Sequence, residues 1–176
     1  MGKTMPIVIK NQVGIADDAN VYVTIKALEP ATGKDCFVKF DATGLGTCVP
    51  VTLATQSINY AHKISDLPKN ADNQASIQLQ QVDSGRIYFS INYPINFSID
   101  STNPNRLVIV DPDGFKMRDE NYYTLYDKVE FTYNGNGVWI NPTAVDFFSL
   151  PIQISQATST SGVTNAGLHG SRADII

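Results

Sequence analysis

Short apolar runs of period two recur along the chain, each closed by a turn signal. In "VYVTIKAL", Val21, Val23 and Ile25 share one face. "ASIQLQQV" alternates Ile77 and Leu79 against Gln78 and Gln80, and "RIYFSINY" puts Ile87, Phe89, Ile91 and Tyr93 on one side, with Ser84–Gly85 expected to reverse the chain between them. "PIVIK", "CFVKF", "INFSI" and "LVIV" continue the series, separated by "EPATGKD", "STNPNR" and "DPDG". Turn signals every 8–12 residues or so predict an all-β sandwich or barrel. At least eight strands and no helix longer than about 12 residues are expected, with helix well below the average of about 30–35%.

The composition agrees. Strand and turn formers (Val, Ile, Thr, Tyr, Phe, Asn, Ser) outnumber helix formers, and the 176 residues suffice for one domain with its own core. The first 154 residues read as the β-sandwich domain. Residues 155–176 read as a flexible Ser/Thr/Gly-rich tail and the start of a truncated helix, for which Ser171 offers an N-cap, as in a chain cut short or a frayed natural C-terminus. "LPKNADNQA" reads as a polar loop, and "RDENYYTLYDK" as a helical turn or a loop.

A net charge of −4 without a basic patch argues against nucleic acid and favours a neutral, weakly polar ligand. No apolar run approaches 18 residues, so no membrane span is expected. The start enters a strand almost at once without a signal-peptide core, as in a cytosolic chain, a trimmed mature form or an engineered start. Cys36 and Cys48 lie twelve positions apart across "DATGLGTC", which suits either a disulfide or two free thiols; with His62 and His169 they give no zinc spacing. No nucleotide fingerprint is present, and no cofactor is expected. "DPDG" resembles the start of a calcium loop but reads better as a type I turn. "NFS" at Asn96 is a glycosylation sequon.

The stretch "VEFTYNGNGVWINPTAVDFFSLPI" carries two acids in apolar surroundings, Glu130 and Asp146. Glu130 shares a polar strand face with Thr132 and Asn134, so a solvated surface role would explain it. Asp146 shares its face with Ala144, Phe148 and Leu150, where a carboxylate has a desolvation cost and usually a partner or a task. "NGNG" predicts a reversal that folds the Glu130 strand back beside Trp139. Adjacent or next-but-one strands, about 4.8 Å apart, would then bring the two acids within about 5–10 Å. A sugar could stack on Trp139, the only Trp. Tyr133, Tyr126, Thr132 and Asn141 are the further candidate contacts.

"SGRIYFS", "VEFTYNGNGVWINPTAVDFFSLPI" and "GSRADI", in that order, resemble the family 64 glycoside hydrolases, β-1,3-glucanases with a thaumatin-like core. The resemblance covers roughly Pro6 to the end. It implies a secreted protein acting on a β-1,3-glucan, with Glu130 as general acid and Asp146 as the base that activates water in an inverting mechanism. It therefore implies carboxyls about 6.5–9.5 Å apart on one cleft. The family's second, mixed α/β part has no counterpart here, and Ala144 stands where a Gln is usual. A missing second domain, or self-association, would have to complete the groove. The alternative is a non-catalytic carbohydrate-binding or structural domain of the same fold.

Overall fold

The computed structural model describes residues 3–54, 60–103, 105–142, 148–158, 162–168 and 170–174. Thirteen strands appear among them. They run from β1 (Met5–Ile9), β2 (Val21–Leu28), β3 (Asp35–Phe40), β4 (Leu45–Pro50) and β5 (His62–Lys63) to β6 (Ala75–Leu79) and β7 (Val82–Ile91). After these come β8 (Ser98–Asp100), β9 (Val108–Val110), β10 (Tyr126–Asn134), β11 (Gly137–Pro142), β12 (Gln153–Thr158) and β13 (Gly162–Gly167). The helical elements among the described residues are two three-residue 3₁₀ turns, Ile64–Asp66 and Arg172–Asp174. The chain is all-β, as the alternation predicts.

The main sheet runs β1-β6-β4-β3-β2-β7-β10-β11, with β5 added against β2. It curls. Ile77 and Leu79 near one edge and Phe131 and Ile140 near the other pack into one cluster with Val23, Ile25, Val38 and Ile87, which a flat sheet of this width would keep apart. All these side chains lie on the concave face. Alternation sends the intervening residues to the other face, where Phe37 stacks on Tyr60 (5.1 Å between ring centres) and packs with Ile109 beneath the β8–β9 hairpin. Beside this second cluster, Tyr88, Ile95 and Tyr126 form a third. One part of that face is therefore covered and the β7–β10–β11 end is left open.

Two details depart from the sequence reading. Ser84–Gly85 does not reverse the chain. It is a bulge inside β7, where two residues oppose one on both neighbours: Ser84 and Gly85 lie between the Arg86–Lys26 and Asp83–Leu28 pairs, and Asp83 and Ser84 between the Gly85–Phe131 and Val82–Tyr133 pairs. Ser84 takes a positive φ of 46°, and at Gly85 a Cβ would lie 2.4 Å from the Phe131 ring, so glycine alone fits there. The second departure is the tail. Residues expected to be flexible form the β12–β13 hairpin, in register from Gln153↔Gly167 to Thr158↔Gly162, and β12 crosses the expected boundary at 154. Ser and Thr alternate well in a strand, and their abundance is not by itself a sign of disorder.

Cys36 and Cys48 are free thiols. They sit diagonally across β3 and β4, whose register pairs Cys36 with Pro50 and Val38 with Cys48. Their mutual hydrogen bond, with burial added, pushes the Cys36 thiol well up, while the same bond holds Cys48 down. Ser171 precedes the 3₁₀ turn but does not cap it through its own side-chain oxygen: its backbone N–H and its hydroxyl both donate to Asp174 Oδ2, at 2.9 and 2.7 Å, so the accepting side chain is that of Asp174.

Candidate active site

β7, β10 and β11 are adjacent, and their register builds the site. Arg86 faces Glu130, Glu130 faces Asn141, and Thr132 faces Trp139. Directly opposed residues in a sheet share a face, so all five side chains stand on the open side. The "NGNG" turn behaves as the sequence predicts: Asn134 pairs with Gly137, and Asn134 Oδ1 accepts the Asn136 N–H at 3.0 Å. These residues line an open cleft of about 660 Å³, to which Gln156 of β12 contributes from the hairpin.

Trp139 is 54% exposed, a large apolar surface left in water at the cleft. The four other candidate contacts divide. Thr132 and Asn141 line the cleft. Tyr133 does not: it lies on the concave face, packed against the main core. Tyr126 shares the Glu130 face but is buried beneath it among Tyr88 and Ile95. Asp146 lies outside the described residues, and so does Ala144. Phe148 and Leu150, on the far side of that segment, are described, and Leu150 is in the core.

Glu130 is not simply solvated. Its Oε1 accepts a hydrogen bond from Arg86 Nε at 2.9 Å. The partner comes from 44 residues earlier, which hides it from any local reading of the sequence. Arg86 Nη1 in turn donates to Asp111 Oδ2, and Lys26 Nζ lies 2.5 Å from Asp111 Oδ1. Tyr88 donates its hydroxyl to the same Oδ1 at 2.5 Å, and burial holds that phenol protonated well beyond its ordinary range. Burial, with the Arg86 charge added, pushes Lys26 down to about 8, against the pull of Asp35 and Glu130. The result is a row of alternating charge running from under the β8–β9 hairpin out to the cleft: Lys26, Asp111, Arg86, Glu130. Sequence reasoning missed Lys26, Arg86 and Asp111. Arg86 was within reach, since it belongs to the "SGRIYFS" motif, but Asp111 was hidden in an ordinary turn signal.

A second acid supports the neighbouring segment. Asp127 is buried on the opposite face of β10, and its Oδ2 accepts the N–H groups of Ser149 and Leu150 at 3.0 and 3.1 Å. Arg172 Nε donates to the Ser149 carbonyl at 3.0 Å. Ser149 is thus held from both sides, three positions after Asp146. The sequence showed the 3₁₀-turn residues of "GSRADI" as a motif but not what they hold.

A curled all-β sheet with one acid exposed on an open, Trp-bearing cleft defines a class of ligand-binding or hydrolytic β proteins. Within it, the chain belongs to glycoside hydrolase family 64, the β-1,3-glucanases, whose profile matches residues 3–175. Two curated relatives are glucan endo-1,3-beta-glucosidases, from Cellulosimicrobium cellulans and from Arthrobacter sp. (strain YCWD3). Each is 34% identical over 85 residues, which is 48% of this chain and 15% of the relative. The fold is also that of a β-1,3-glucanase domain from Clostridium beijerinckii (TM-score 0.81, 20% identity, 98% of this chain and 48% of that one). A laminaripentaose-producing β-1,3-glucanase from Paenibacillus barengoltzii, complexed with laminarihexaose, aligns with a TM-score of 0.76 at 22% identity over 93% of this chain and 39% of its own. The chain thus spans less than half the length of each of these relatives.

Proposed function

We propose that the chain carries the acid pair of an inverting β-1,3-glucan hydrolase with a thaumatin-like core. The observation that carries this reading is the register of β10 and β11, which sets Glu130 beside Asn141 and Thr132 beside Trp139 on one open face. A pyranose ring stacked on the Trp139 indole would extend its glycosidic oxygen along the cleft toward Glu130. Glu130 would give a proton to that oxygen as the C1–O bond breaks. Asp146 would take a proton from the water whose oxygen bonds to C1 from the opposite side, inverting the centre. The role of Asp146 is carried by the family resemblance.

The substrate reading draws on the relatives: a structure of the Paenibacillus enzyme holds laminarihexaose. An extracellular working place belongs to the same reading, because a polysaccharide substrate lies outside the cell. Hydrolysis also needs subsites that orient and distort the sugar. A cleft of this openness holds one side of the ligand, so the 176-residue chain by itself should bind laminari-oligosaccharides and hydrolyse laminarin weakly. A second domain or a second copy of the chain would supply the other side.

The test is reducing-end release from laminarin by the wild type, Glu130→Gln and Asp146→Asn. Turnover lost in both variants, with binding retained by calorimetry, supports the proposal. Binding without turnover, unchanged in both variants, would instead make this a carbohydrate-binding domain of the same fold.

A further inference from the structure

The acid of the proposed reaction is here found in contact with a guanidinium. That guanidinium is shared. Arg86 is divided: Nε serves Glu130, and Nη1 serves Asp111. Asp111 is itself anchored by two further donors, the Lys26 ammonium and the Tyr88 hydroxyl, each 2.5 Å from Oδ1. Lys26 is pinned in turn by donating to the Ile109 carbonyl at 3.2 Å, two residues before Asp111 on the β8–β9 hairpin. The Asp111 carboxylate therefore cannot move away from Arg86 without breaking contacts on two other strands. The β7 bulge at Ser84–Gly85 immediately precedes Arg86 and sets the direction of its side chain.

We propose that Asp111 is a positioning residue for Glu130: by holding one arm of the Arg86 guanidinium, it limits how much of that guanidinium Glu130 receives. Asp111 is not among the residues lining the cleft and does not touch Glu130; it acts through Arg86. Among the charged and titratable groups on this face are Arg86 and Tyr88 on β7, Lys26 on β2, Asp35 on β3, Tyr126 and Lys128 on β10 and Asp111 after β9. The residues presented by β11 and β12, Trp139, Asn141 and Gln156, are neutral. Removing the Asp111 side chain would leave Arg86 undivided, with both arms free for Glu130.

The inference takes Glu130 as the acid of the proposed reaction, so its test reads coupling between side chains rather than turnover. Unfolding in urea is measured at neutral pH for the wild type, Asp111→Ala, Glu130→Gln and the double variant. Glu130→Gln should cost more in Asp111→Ala than in the wild type, by about threefold or more in the unfolding equilibrium constant. In an Arg86→Met background, which lacks the fork that bridges two carboxylates, the same two changes should be additive. Additivity with Arg86 present overturns the proposal. So does a coupling that persists in Arg86→Met, which would mean a diffuse field and no positioning. If the coupling is found but laminarin turnover survives Glu130→Gln, the coupling stands and the hydrolase reading falls.

Discussion

At the scale of single residues, the sequence made the exposed groups legible and concealed the paired ones. Alternation put Glu130, Thr132 and Asn134 on one face and so left Tyr133 on the other, and the reversal at "NGNG" brought Trp139 alongside. Tyr126 obeys the parity and still lies buried, because cover from Ile95 and Tyr88 is a property of distant segments. Asp127 shows the energetic weight of such hidden pairing. Burial pushes its carboxyl above the ordinary range, against the backbone N–H groups of Leu150, Ser149 and Lys128 that pull it down. Asp127→Ala would orphan the Ser149 and Leu150 N–H groups, at a cost of about 2–4 kcal/mol, read as a lower urea midpoint with an unchanged slope. A loss below about 1 kcal/mol would show that water replaces the carboxylate freely. His62 gives a pH prediction. Burial, with Lys39 added, depresses its proton affinity against the pull of Asp66. The unfolded chain therefore binds a proton that the folded one resists, and stability falls as pH drops through and below the unfolded value of about 6.5. Replacing His62 by Gln should flatten the melting temperature between about pH 7 and 5. The same slope in both proteins would assign the acid sensitivity elsewhere.

Among elements, the strands were readable because a half-buried strand must alternate, and the β10–β11 hairpin because Asn and Gly accept its tight turn. What failed was the distinction between a turn and a bulge. Ser84–Gly85 carries the same residue types as a reversal, and only the two flanking strands show that β7 continues through it. Packing is also tight at Gly85. In Gly85→Ala, the new methyl must displace the Phe131 ring, at about 1–3 kcal/mol. Trimming the ring as well, in Gly85→Ala/Phe131→Leu, should cost less than the two single changes added together. Strict additivity in denaturant unfolding would show that the ring is not what excludes the methyl. The β12–β13 hairpin was missed for a different reason: its Ser, Thr, Asn and Gly content resembles a linker, and its strand character lies in a register that composition does not carry.

For the molecule as a whole, the order of strands in the sheet was not legible, since no local pattern states which strand sits beside which. That order has a consequence in time. β2 pairs with β7 across some sixty residues and β7 with β10 across about forty, while β1 reaches β6 across about seventy, and β4 meets β6 in parallel. Little of the sheet can close until distant segments have met, so refolding from denaturant should fall in the range of milliseconds to seconds expected of such topologies. A probe on Trp139 should report no early phase: among the described residues its strand pairs with β10 alone, whose other neighbour β7 must first find β2. A microsecond change in Trp139 fluorescence of native amplitude would contradict this. In a chain emerging from the ribosome at about 5–20 residues per second, the strands up to β7 would wait several seconds with the β7 edge unpaired before β10 arrives. The cleft face is thus the last part of the sheet to be made, and the exposed β7 edge is where a nascent chain of this kind is most open to pairing with the wrong partner.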